Sequence, residues 1–217
     1  MKPLFYFTNL IEAAFWATNP NNTYIGNHVA GSTHFGYWYR LLNNPDGPSF
    51  TPGYCPINIP FGVFSNNSVH AVGRFGLWIF PTYIPTVSGG CQDRNPSVAR
   101  FEYLTSYSND LGAEFVMSNN IQFVGFKIWD QYSIGIVNKQ MPSYQNPNTP
   151  YSSVFYNPSV GTLISNSIVV GDSQGNQRNS QGIAFAWDRG SMLKNVSFFN
   201  FVGGYALGAT EIAGRCT

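Results

Sequence analysis

Between Phe15 and Lys139 one phrase recurs three times: an Asn-rich step, a Gly, and a short aromatic or β-branched run. The first copy is Asn19-Pro20-Asn21-Asn22-Thr23-Tyr24-Ile25-Gly26, closing with Phe35-Gly36-Tyr37-Trp38-Tyr39. The second runs from Phe64-Ser65-Asn66-Asn67-Ser68-Val69-His70-Ala71-Val72-Gly73 to Phe75-Gly76-Leu77-Trp78-Ile79. The third runs from Phe115 through Asn119-Asn120-Ile121-Gln122-Phe123-Val124-Gly125 to Phe126-Lys127-Ile128-Trp129. A short β-rich unit cannot bury its apolar side alone, so repetition of this kind predicts stacked units, a solenoid. A solenoid has no central pocket by construction, which directs the search for function to its outer faces and loops.

The rest of the chain extends the pattern. Residues 130–138, 160–171 and 191–201 read as further units, with Tyr205-Ala206-Leu207 as a last strand, and Ile183-Ala184-Phe185-Ala186-Trp187 alternates. Only Leu10 to Phe15 reads as a turn of helix. Three segments break the rhythm: Leu42 to Pro60, Pro81 to Pro96 and Lys139 to Pro158 hold twelve of the 14 prolines. Proline cannot donate to a sheet ladder, so these are excursions between strands. Their length marks them as ordered insertions or binding loops. The predicted fold is all-β: a right-handed parallel β-helix with long Pro/Gly-rich insertions, one domain over residues 1–217. Gly supplies left-handed corners and Asn can form ladders at the turns. The competing antiparallel sandwich calls for tight hairpins, and only Asp46-Gly47 fits one.

Composition excludes several roles. Charged residues make up 10% of the chain against about 25% in an average globular protein, and the net charge is +1. That leaves no electrostatic basis for nucleic-acid binding. No apolar run reaches the roughly 20 residues that span a bilayer. Met1 to Phe7 begins like a leader, but Thr8, Asn9 and Glu12 interrupt it, and no small-residue cleavage site follows. Asn21, Asn66 and Asn195 each open an Asn-X-Ser/Thr sequon, although so Asn-rich a chain also generates sequons by chance. Cys55 and Cys91 lie in two of the insertions and are expected to form a disulfide stapling them, the alternative being two free thiols; Cys216 is left over. An extracellular-looking chain without a leader reads as an excerpt of a longer one.

Phe15-Trp16-Ala17-Thr18-Asn19-Pro20-Asn21-Asn22, Asn27-His28-Val29-Ala30-Gly31-Ser32-Thr33-His34-Phe35-Gly36-Tyr37-Trp38 and Gly62 to Ala71 together carry a resemblance. The chain resembles the β-helix region of the fibrocystin-L family, whose relatives include transmembrane protein 2 and the cell-migration-inducing hyaluronan-binding proteins. The resemblance is carried by residues 13 to 140. It implies a parent that is a large secreted or single-pass extracellular protein, on cilia or other cell surfaces. The implied partners are other parts of that chain, extracellular proteins or glycans.

Catalysis finds little support in the residues. Glycoside hydrolysis needs two carboxylates across one site. Only Glu102, Asp110, Glu114 and Asp130 are spaced so that stacking units could bring them together; otherwise they are isolated turn carboxylates. His28 and His70 occupy similar places in successive copies and are expected to stack. A metal site would need a third ligand, and none is evident. No serine elbow is present, and Cys55 in its Pro-rich loop is a better disulfide partner than nucleophile. No catalytic residue, metal site or cofactor is predicted. Trp38, Trp78 and Trp129, with Tyr37, Tyr39 and Trp187, are either packed along the solenoid or form an outward platform on which sugar rings stack. The expected role is structural or adhesive, with hyaluronan binding or cleavage, or a surface filament, as the alternatives.

Overall fold

The computed structural model describes residues 12–139, 158–175, 181–186 and 191–210. They form a parallel β-helix of three faces. The first face stacks β2 (Thr23–Ile25), β5 (Val63–Ser65), β8 (Ala99–Glu102) and β11 (Ile121–Val124). The second stacks β3 (His28–Ser32), β6 (Ser68–Val72), β9 (Thr105–Tyr107) and β12 (Lys127–Trp129). Two longer strands, β14 (Leu163–Val170) and β16 (Met192–Phe199), run across both faces and join them into one sheet. The third face is a seven-stranded parallel sheet. In order it holds β1 (Ala13–Ala17), β4 (Phe35–Tyr39), β7 (Phe75–Ile79), β10 (Leu111–Phe115), β13 (Ile134–Asn138), β15 (Gln181–Ala186) and β17 (Leu207–Thr210). Residues 13–15, read from sequence as helical, belong to β1: pairing of Phe15 with Tyr37 overrides local propensity.

Each corner has its own chemistry. Between the first and second faces, one residue per coil is left-handed: Gly26, Asn66, Tyr103, Gly125, Asn166 and Asn195, with φ of 68°, 54°, 53°, 69°, 51° and 54°. Their amides bond the coil above: Gly26 N–H to the Ser65 carbonyl at 3.1 Å and Tyr103 N–H to Val124 at 2.8 Å. The next position inward begins as an amide ladder. Asn67 Oδ1 accepts from the Asn27 backbone N–H and from Asn27 Nδ2, at 2.9 and 3.0 Å. At the second corner a buried network takes over. Asn109 accepts the Val72 N–H at 3.0 Å and donates to Ser106 Oγ at 3.0 Å, while Gln131 accepts the Asn109 N–H at 3.1 Å.

Inward side chains stack in files. Phe64, Phe101, Phe123 and Ile164 line the first face, and Val69, Ser106, Ile128 and Val169 the second. Tyr37, Leu77, Ala113, Ile136 and Ile183 line the third. Immediately before them runs a file of glycines, Gly36, Gly76, Gly112, Gly135 and Gly182. A Cβ on Gly112 would meet the Gly135 carbonyl oxygen at 2.4 Å and Ile128 Cγ2 at 3.0 Å. The second-face side chains therefore pack directly on bare backbone.

The third corner carries the insertions. Coils close economically there between β10 and β11, so Arg100 and Gln122, which meet across coils, are 22 residues apart. Asn27 and Asn67 are 40 apart because residues 40–62 leave at that corner, and residues 80–98 leave there on the next coil.

Candidate functional site

On the outer side of the third face, the residues alternating with the core file form an aromatic column. Trp16, Trp38 and Trp78 fall in register on successive coils. Trp16 and Trp38 stack with centroids 4.7 Å apart, and Trp38 and Trp78 at 5.3 Å. Phe75 and Phe80 lie nearly parallel to the Trp78 ring at 5.0 and 4.5 Å, and Phe35 stacks on it at 4.6 Å. The rings thus direct their faces at one another: Trp38 is only 4% exposed, whereas Trp16 at the column's start is 49% exposed. Beside the column, His34, Arg40 and Arg74 border a cleft of about 530 Å³ floored by Phe35, Trp38 and Trp78. Arg40 is held by Asp46 at 2.8 Å.

The column ends on a carboxylate. Glu114 occupies the register position of Trp78 one coil on. It is fully buried, accepts from Trp78 Nε1 at 2.8 Å, and pairs with Lys139 Nζ at 2.9 Å. Burial pushes its carboxyl above the ordinary range, and Lys139 and the indole pull partly the other way. The sequence signal was available: Leu111-Gly112-Ala113-Glu114 matches Phe75-Gly76-Leu77-Trp78 position for position.

Trp129 lies elsewhere. It sits on the second face, stacked on Tyr107 at 4.7 Å, which in turn stacks on His70 at 4.6 Å. The structure therefore does not bring Trp129 to the Trp38–Trp78 surface. His28 and His70 are neighbours at 5.4 Å but not one above the other. His28 pairs with Ser68, and its Nδ1 meets the Ser68 hydroxyl; His70 pairs with Ala30. The pairing register of the two strands leaves them two residues apart. No group of three His, Cys, Asp or Glu suited to a metal occurs among the described residues.

The four acids that stacking was to gather are dispersed. Glu102 ends a first-face strand and Glu114 points out from the third face. Asp110 and Asp130 sit at the second corner. There Asp110 accepts from the Ser133 hydroxyl, and Asp130 accepts from Ser173 N–H and Oγ at 2.7 and 2.6 Å.

The sequon asparagines are all exposed. Asn21 lies in the turn before β2, where its N–H donates to Asn19 Oδ1 at 2.9 Å. Asn66 and Asn195 share the left-handed corner file, and Asn195 Nδ2 donates to Asn166 Oδ1 at 3.0 Å. Trp187 and Cys216 lie outside the described residues.

The first two insertions form a lobe at the third corner. Cys55 and Cys91 are joined by a disulfide, their Cα atoms 5.3 Å apart. The loops also bond directly: Ile84 N–H to the Ile57 carbonyl and Thr86 N–H to Asn58, both at 2.9 Å, and Asn58 Nδ2 to the Ile84 carbonyl at 3.0 Å.

Comparison with known proteins agrees with this architecture. The sequence profile of the CEMIP beta-helix family matches residues 7–77, which reach from before β1 into β7. Fibrocystin-L of Homo sapiens is 39% identical over 215 residues, covering 96% of this chain and 5% of that protein. The chain is a fibrocystin-L-like β-helix. The mouse fibrocystin-L (Mus musculus) gives 40% over 215 residues with the same coverage, so the chain spans about a twentieth of the length of these relatives. The human cell surface hyaluronidase CEMIP2 is 39% identical over 69 residues, 31% of this chain and 5% of that protein.

Proposed function

We propose that this fibrocystin-L-like β-helix is a non-catalytic structural and adhesive module of an extracellular, cell-surface protein. Its rigid, weakly charged faces and corner loops contact proteins or glycans and other parts of the same parent chain. The observation that carries the reading is the engagement of Glu114. This buried outer-face carboxylate is held by an indole and an ammonium, and among the described residues no second acid lies beside it as glycoside hydrolysis requires. The disulfide and the three exposed sequons support an extracellular setting, on a cilium or another cell surface. No helix among the described residues is long and apolar enough to cross a membrane.

A second reading, glycan binding or depolymerisation, is favoured by the cationic and aromatic cleft of His34, Arg40 and Arg74 and by the likeness of one stretch to a protein named a hyaluronidase. Incubating the parent protein with fluorescent high-mass hyaluronan and sizing the product separates the two. Unchanged polymer length supports the structural reading. Shortening that disappears with Glu114→Gln or Asp130→Asn overturns it. Peptide mapping after enzymatic N-glycan release tests the setting, and unmodified asparagine at all three sequons would refute it.

A further inference from the structure

A second cleft lies away from both the aromatic column and the buried acid. It is a cavity of about 660 Å³ between the two stapled insertions, within the range of small-ligand sites. The β-helix itself does not require these loops, since the coil between β10 and β11 closes with residues 116–120 alone. One wall is Asn43, Asn44, Ile57 and Asn58 from the first insertion; the other is Ile84, Thr86 and Gln92 from the second.

We propose that this cleft binds a neutral, polyhydroxylated ligand, a short uncharged saccharide. Three observations carry it. The first is wall chemistry. Side-chain amides and a threonine alternate with the apolar Ile57 and Ile84, and an amide offers both donor and acceptor to a sugar's hydroxyl pairs. Asn43 and Gln92 are exposed, and no other described residue engages their side chains. The second is charge. The two ionic groups in the lining are committed to the loop. Asp93 accepts from Ser88 N–H at 2.8 Å, Ser88 Oγ at 2.7 Å and Asn95 N–H at 2.8 Å; Arg94 donates to the Cys91 and Asp93 carbonyls at 3.3 and 3.1 Å. Both side chains are tied to the loop, and their opposite charges leave the lining with no net charge to select an ionic ligand. The third is rigidity. The Cys55–Cys91 bond and the Ile57–Ile84 and Asn58–Thr86 hydrogen bonds tie the walls at a fixed spacing before any ligand arrives, which reduces the ordering cost of binding.

This site goes beyond the structural role and its failure would leave that role intact. The test is saturation-transfer NMR and calorimetry of the 217-residue chain with lactose, mannobiose and chitobiose, each up to ~10 mM. A hyaluronan tetrasaccharide forms the charged arm. At least one neutral sugar is expected to bind saturably. Gln92→Trp, which fills the cleft mouth, and Asn43→Ala should each weaken it roughly five- to tenfold. The Cys55→Ser/Cys91→Ser double variant should lose binding while retaining the β-sheet circular dichroism signal. Both single substitutions are at exposed positions, so intact mass and melting temperature verify folding. The proposal is overturned if no neutral sugar binds, if binding ignores these substitutions, or if only the charged oligosaccharide responds to Gln92→Trp.

Discussion

Replacing Gly112 by alanine should be among the most damaging one-carbon changes available in this chain. Gly112 does not have a left-handed backbone, so at an open site the substitution would stabilise by about 0.4–1 kcal/mol through the unfolded state. Here the new methyl would lie 2.4 Å from the Gly135 carbonyl oxygen and 3.0 Å from Ile128 Cγ2. The first contact is with backbone, fixed between coils about 4.8 Å apart, and no rotamer relieves it. Overpacking costs about 1–3 kcal/mol, and displacing the strand weakens its ladder bonds to the neighbouring coil at about 0.5–1.5 kcal/mol each. With about two ladder bonds weakened the costs sum to about 2–6 kcal/mol, and the unfolded-state gain leaves a net loss of roughly 1–5 kcal/mol. For a chain of this size that lowers the melting temperature by between about 2 and 20 °C. The assay is thermal unfolding followed by far-ultraviolet circular dichroism. Hydrogen exchange across β7, β10 and β13 then locates the damage, since stacked units open locally. Gly47→Ala is the control: its φ is +59° with nothing within 4 Å of the new methyl, so only the left-handed backbone cost of about 1–2 kcal/mol applies. A Gly112→Ala melting temperature equal to or above wild type would refute the reasoning. So would full rescue by Ile128→Ala, which relieves the side-chain contact but leaves the carbonyl in place.

Other outcomes follow from the same geometry. Trp78→Phe keeps the stack but removes the donor to Glu114, and should cost about 1–3 kcal/mol in urea unfolding. Glu114 is an acid whose folded pKa is raised, so the folded state binds the extra proton; stability should fall as pH rises from the unfolded value through the folded one. Glu114→Gln should flatten that part of the curve in melting temperatures taken across acid to neutral pH, and an unchanged slope would contradict the assignment. Reducing Cys55–Cys91, which closes a separation of 36 residues, should remove about 3–4 kcal/mol. The loss should appear as faster hydrogen exchange in residues 40–62 and 80–98, with the strands protected as before.

Much of the solenoid could be read directly because its corners advertise themselves. Gly26, Gly125, Asn66 and Asn166 are residue types that tolerate a left-handed backbone, and the Pro-rich excursions stand out between strands. The coil β8–β9–β10 escaped notice for the converse reason. Its corner residue is Tyr103 at φ 53°, a type that gives no turn signal. What compensates is packing: the Tyr103 ring lies where a side chain on Gly125 would be, 2.5 Å from the would-be Cβ. The outer aromatics were ambiguous because a sequence does not say whether a ring's face meets solvent or the next ring. Trp129 was grouped with Trp38 and Trp78 by its place at the end of a phrase. Counting from Gly112 instead aligns Glu114 with Trp78 and puts Trp129 on another face. The histidine pairing failed by two residues, a shift that preserves the side of the strand and so leaves no trace in the hydrophobic pattern.

Because the two described insertions, residues 40–62 and 80–98, both depart at the third corner, this part of the solenoid works as a graduated rule with its teeth along that edge. Adding or trimming residues there changes one tooth and leaves all strand pairings in phase. The same edit at the left-handed corner would throw every later coil out of step. Along these coils, diversification is therefore concentrated on that edge, and the tooth spacing is fixed by the sheet at about 4.8 Å per coil. The close between β10 and β11 is a missing tooth beside the stapled lobe. Residues 118–120 at that gap are buried, Ser118 accepts the Tyr83 N–H at 2.9 Å and the Asn119 N–H bonds to the Tyr83 carbonyl at 3.1 Å, so a foreign loop grafted there should cost lobe contacts that one grafted at the exposed tip around Gly47 would keep.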